Sequence, residues 1–116
     1  FKEAYKKLKP NGFIVVDELH PFAPDCNFFN LKKSKNYYYF NSGAEVSVIS
    51  KGIDGKEIYY KDYHWTLEDL FNFINGAGFK VIKLIEPKPS KKLIKGVPYL
   101  SYRKKEPYGI TIKAIK

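Results

Sequence analysis

The stretch Lys9-Pro10-Asn11-Gly12-Phe13-Ile14-Val15-Val16-Asp17-Glu18-Leu19-His20-Pro21-Phe22 constrains this chain more than any other, because helix end, turn, strand and polar site follow without a spare residue. Pro10 cannot continue a helix, and Asn11 and Gly12 tolerate positive φ, so the three supply a turn. Phe13 to Val16 then run apolar without alternation. Such a run, rich in β-branched residues, predicts a strand buried on both faces, as in a parallel sheet with helices on either side. Asp17, Glu18 and His20 follow at its carboxyl end, where open α/β sheets place their ligands.

Upstream, Phe1, Ala4, Tyr5 and Leu8 recur at helical spacing between lysines, which reads as the end of an amphipathic helix. Downstream, residues 23–43 show no sustained period and read as an irregular insertion. Its aromatic knots, Phe28-Phe29 and Tyr37-Tyr38-Tyr39-Phe40, can line a pocket, stack on bases or pack as a lid on their own domain. Glu45 to Ser50 and Glu57 to Tyr63 favour strands, and Asp54-Gly55 between them is a hairpin turn signal.

Thr66 is an N-cap residue, Asp69 stands at the acidic position of a capping box, and Leu67, Leu70, Phe71 and Ile74 share one face. Gly78 is placed to close that helix as its C′ residue. Phe79 to Ile85 is a second apolar strand, ended by Glu86-Pro87. Residues 90–105 read as a long connection without a helix. The final strand, Tyr108 to Ile115, is then expected to pair antiparallel with Phe79 to Ile85 at a sheet edge. The chain divides into a helix and central strand (1–22), an insertion with a hairpin (23–63), and a helix with a terminal strand pair (64–116).

At 116 residues this is a single domain, or part of one. The lone Cys26 excludes an internal disulfide and a thiolate cluster for zinc, so a reducing, cytoplasmic setting is expected and Cys26 reads as a packed thiol. No apolar run reaches the roughly 18 residues of a membrane span. Met is absent, even at position 1, so the chain is expected to be a piece of something longer. The net charge of +9 raises a nucleic-acid or anionic partner, yet Arg103 is the only arginine. Lysine lacks the planar fork that reads phosphate and guanine bidentately, so nucleic acid is not the expected partner.

The order of these elements, with "LKPNGFIVVDELHPF", "HWTLEDLFNFINGAGFKVIKLIEP" and "PYGITIKAIK", resembles the carboxyl-terminal half of a class I S-adenosylmethionine-dependent methyltransferase, of the small-molecule type. The resemblance covers most of the chain outside 23–62 and 88–105. It implies an α/β fold: the last three strands of a Rossmann-like, mostly parallel sheet, one of them antiparallel, with the β-hairpin inserted. Asn11 stands where the family usually has Gly. The family's glycine-rich loop and the acidic residue that holds the cofactor ribose lie upstream of these motifs. Gly76-Ala77-Gly78 follows a helix rather than preceding one and cannot replace that loop. No cofactor residue and no metal ligand is therefore expected here, and S-adenosylmethionine is expected only of a complete enzyme.

The resemblance places the methyl-acceptor side in this chain. His20 is the candidate catalytic residue, orienting or deprotonating an acceptor atom with help from Asp17 or Glu18. Pro21 and Phe22 complete the motif after the strand, and His64 and Trp65 match positions that overlook the pocket. For each a structural role stands beside the chemical one: His20 capping a turn, Asp17 satisfying backbone donors, His64 and Trp65 packing the start of a helix. Two further readings are a stand-alone basic α/β binding module using Tyr37 to Phe40 and the lysines of 91–105, and an inactive half serving dimerisation. A sheet cut before Phe13 is also expected to expose an apolar edge and self-associate.

Overall fold

The computed structural model describes residues 1–22, 29–33, 38–51, 54, 56–98, 101, 104–105, 107 and 109–116, with backbone alone at 29–33, 48, 50 and 51. Its elements in chain order are α1 (Lys2–Lys7), β1 (Phe13–Leu19), β2 (Phe29–Lys33), β3 (Glu45–Lys51), β4 (Glu57–Tyr63), α2 (Leu67–Gly76), β5 (Lys80–Ile85), α3 (Lys91–Gly96) and β6 (Gly109–Ile115). They form a mixed α/β fold with two three-stranded sheets, ordered β1-β6-β5 and β2-β3-β4.

In the first sheet β6 runs antiparallel to both neighbours, Val16 facing Ile112 on one side and Leu84 facing Ile112 on the other. The final strand is therefore central, not at an edge as expected. The reason lies in its pattern: Ile110, Ile112 and Ala114 are all buried, and only a strand covered by helices along one face and flanked on both sides buries a full alternate set. Both α1 and α2 lie over that face. Leu70 and Ile74 of α2 join Phe79, Ile110, Ile112 and Ala114 in the core, and Tyr5, Leu8, Ile14 and Val16 pack around them.

The expectation of a β1 buried on both faces is corrected. Phe13 and Val15 are 55% and 57% exposed while Ile14 and Val16 are half-buried, because α1 and α2 cover the same side of the sheet and no described element covers the other. Its only strand neighbour among the described residues is the antiparallel β6. The strand also runs on to Leu19, so Asp17 and Glu18 belong to it.

The turn before β1 forms as its residues dictate, with a division of labour. Asn11 takes φ 62°. Gly12 answers to space instead, since a Cβ there would lie 2.9 Å from the Lys9 carbonyl. Helix α2 begins with the capping box: the Thr66 hydroxyl accepts from Asp69 N–H at 3.1 Å and Asp69 accepts from Thr66 N–H at 3.0 Å. Gly78 follows at φ 101°. Phe71, expected on the buried face, is largely exposed, and Leu70 and Ile74 carry the core contact with Leu67 half-buried.

The hairpin of β3 and β4 is present, with Ser47 facing Lys61, and Gly55 of its turn lies outside the described residues. Two elements arise where none was expected. Strand β2 joins β3 antiparallel within the segment read as irregular, because β3 offers its backbone groups along its whole length. Helix α3 forms in the segment read as helix-free, started by Ser90, whose hydroxyl accepts from Leu93 N–H at 3.1 Å. Cys26, Phe28, Tyr37, Arg103 and Tyr108 lie outside the described residues. No helix among the described residues is long and apolar enough to cross a membrane.

Candidate functional site

Strands β1 and β5 run in the same direction on either side of β6, so their carboxyl ends, Leu19 and Ile85, come to one edge of the sheet. Helix α2 returns from that edge, which brings His64, Trp65 and Thr66 to it as well. Here His20 is buried, 3% exposed, with both ring nitrogens engaged. The Phe22 N–H donates to Nδ1 at 3.1 Å, so Nδ1 carries the lone pair and Nε2 the proton, which is donated to Glu86 Oε1 at 3.0 Å. Glu86 fixes the ring from the end of β5. Nearly half of its own side chain, 46%, remains exposed.

From His20 a ladder of rings crosses to the insertion. His20 stacks on Phe22 at 5.7 Å between centroids, and Phe22 stacks on Tyr39 at 4.3 Å with the planes 1° apart. Tyr39 meets His64 at 5.9 Å. It is also held by its polar groups, its carbonyl accepting from His64 Nε2–H at 2.7 Å and its hydroxyl from Leu67 N–H at 3.3 Å. Tyr39 belongs to the aromatic knot the sequence singled out, and it ties the insertion to the start of α2.

His64 is buried, and its backbone extends the hairpin: His64 N–H donates to Ala44 and Gly43 N–H donates back to the His64 carbonyl. Gly43 sits at φ 78° beneath the Trp65 ring, which meets Phe73 edge-on at 5.1 Å. Trp65 is therefore packed on one side and open on the other. Ser42 donates its hydroxyl to Asp69. That bond, followed by those from the Thr66 hydroxyl and N–H, holds the Asp69 carboxyl below its ordinary pKa.

Asp17 and Glu18 point to opposite faces, as strand neighbours must. Asp17 accepts from the Thr111 hydroxyl at 2.7 Å on the open face. Glu18 lies on the helix side with its pKa raised, first by desolvation and then by the like charges of Asp62 and Asp17. The structure thus brings His20, Pro21, Phe22 and His64 together, sets Trp65 beside them, and turns Asp17 away. Glu86 was missed as a site residue by sequence reasoning. Its signal was an acidic residue at the carboxyl end of a strand, directly before a proline. Among the described residues no three His, Cys, Asp or Glu side chains gather as a metal site would need.

The fold is a mixed α/β one in which a reversed strand, β6, lies between the two co-directional strands β1 and β5. Solved structures resemble it over nearly its whole length. One is an S-adenosylmethionine-dependent methyltransferase from Mesorhizobium loti, at 18% identity and a TM-score of 0.69, matching 99% of this chain and 53% of that one. Another, from Listeria monocytogenes, to which the same activity is ascribed, has 22% identity and a TM-score of 0.68, matching 99% of this chain and 52% of that one. The chain spans about half the length of these structures. No protein-family model matches it, and no curated protein matches it by sequence.

A Cβ at Gly12 would lie 2.9 Å from the Lys9 carbonyl and one at Gly78 2.9 Å from the Tyr5 ring, while one at Gly43 would stand in ordinary contact with Trp65. Gly76 closes α2, and none of these glycines opens a loop between a strand and a following helix.

Proposed function

We propose that this chain is the substrate-side portion of an S-adenosylmethionine-dependent methyltransferase acting on a small molecule, and that alone it neither holds the donor nor turns over. One observation carries the reading: polar and aromatic side chains converge at the carboxyl ends of β1 and β5, in a chain of which 99% matches about half of one solved structure described as such a methyltransferase and of another to which that activity is ascribed. His20, Pro21, Phe22, His64 and Trp65 form one wall of the acceptor site, with Glu18 beside it and Asp17 supporting the strand from behind. His20 acts by orientation, since its basic nitrogen is occupied by the Phe22 N–H. Methyl transfer depends chiefly on holding donor and acceptor in line, which suits a wall whose side chains are held by hydrogen bonds and ring stacking. The protein works in the cytoplasm, where a lone thiol stays reduced.

The experiment is calorimetric titration of S-adenosylmethionine, and of its demethylated product, into this chain and into the protein expressed from its own initiator Met. Binding by the longer protein alone is the expected result. Binding by neither overturns the proposal.

A further inference from the structure

Glu86 is the one acidic residue that reaches the ring ladder from β5. The Nε2–H of a buried histidine holds Oε1 at 3.0 Å, and among the described residues the carboxylate makes no other hydrogen bond. A carboxylate oriented from behind by a buried donor, with close to half its side chain open to solvent, is a fixed acceptor facing outward. His20 cannot play that part. It is itself 3% exposed, its Nδ1 is committed to Phe22 and its Nε2 to Glu86.

We propose that Glu86 is the substrate-recognition residue of this site, receiving a hydrogen bond from an N–H or O–H of the molecule bound there, with His20 as its positioning residue. This rests on the acceptor-site reading and deepens it: the substrate carries an N–H or O–H that the Glu86 carboxylate receives. Both an amine and a hydroxyl supply that hydrogen. An ammonium gains more from a carboxylate than a neutral hydroxyl does, because the bond is then charge-assisted.

The test begins on isotopically labelled chain by nitrogen correlation spectroscopy of the His20 ring. The Nε2–H tautomer is expected in the parent and in Glu86→Gln, whose amide oxygen still accepts, and a fixed tautomer is lost in Glu86→Ala. Benzylamine and catechol are then titrated as the amine and hydroxyl probes. Either probe is expected to shift the His20 and Phe22 signals, and Glu86→Gln to weaken its binding roughly 10- to 100-fold, the range of a lost charge-assisted bond. A parent ring in the Nδ1–H form, no response to either probe, or equal binding by Glu86→Gln overturns the proposal. Probe binding that depends on Glu86 in a protein that never binds S-adenosylmethionine would sink the methyltransferase reading and leave this subsite standing.

Discussion

Lys116 donates from Nζ to the carbonyl of Leu8 at 2.8 Å, joining the last residue of the chain to the end of its first helix. It donates to the Tyr5 carbonyl as well, at 2.6 Å, and stands 4.6 Å from the centre of the Tyr5 ring. A helix end exposes carbonyls without partners, and a cation there satisfies them and meets the negative pole of the helix dipole. Lys116→Ala is expected to cost about 1–2 kcal/mol, the range of hydrogen bonds from a charged donor. Urea denaturation measures it, and an unchanged midpoint would show the contact to be idle.

Gly78 faces the same tyrosine. A Cβ at that position would stand 2.9 Å from the Tyr5 ring, and the backbone there has φ 101°. Gly78→Ala therefore meets two obstacles and should lose roughly 2 kcal/mol or more. Adding Tyr5→Leu should recover the steric part and leave the backbone part. Strict additivity of the two changes in a double-mutant cycle would disprove the clash.

The Asp69 carboxylate gives the fold an acid limb. Its folded pKa lies below the unfolded value, so its contribution is fully present above the usual aspartate value of 3.8 and disappears as pH falls through the depressed folded one. Asp69→Asn should flatten the stability profile in that acid window, measured as urea midpoint against pH. Ser42→Ala should flatten it in part, since the Ser42 hydroxyl is the leading cause.

Glu18 works in the opposite direction. Its raised pKa means that ionisation is resisted in the folded state, so stability is lost as pH rises from the unfolded value of 4.5 through the folded one. Glu18→Gln should therefore stabilise the protein at neutral pH by about 0.5 kcal/mol, the scale of exposed charge interactions, and leave it unchanged below pH 4. A variant less stable than the parent at pH 7 would mean that Glu18 makes a favourable contact instead.

The outer edge of β1 has no strand partner among the described residues, and Phe13 and Val15 are exposed on the adjoining open face. Such an edge templates pairing with another chain. The chain is expected to self-associate in sedimentation equilibrium, and Val15→Lys to shift it toward monomer. A monodisperse monomer at high concentration would count against the edge as an interface.

Where the sequence was legible, the information was local. Pro10 and Asn11 end a helix, Thr66 and Asp69 start one, Gly78 stops it, and Asp54 accepts from Lys56 N–H beside the hairpin turn, all through contacts within a few residues. The order of the other elements was legible for the same reason. Strand β2 and helix α3 were not, because their local signals are short and lie among residues without a period. Strand β2 needs the backbone of β3 to pair with, and one capping hydroxyl starts α3. Glu86 looked like the end of a strand because its partner, His20, lies 66 residues away.

By itself, then, the sequence determined the turn before β1, the capping box of α2 and the β-character of β1, β3, β4, β5 and β6, since these depend on φ preferences and side-chain oxygens near their own backbone. Tertiary structure alone decided that β6 lies in the middle of its sheet, that β1 buries one face rather than two, and that Lys116 caps α1. It also decided that His20 turns its proton to Glu86 and its lone pair to Phe22. Those outcomes depend on which distant surfaces meet, and the packing of Ile110, Ile112 and Ala114 beneath α2 settles that choice for the whole sheet.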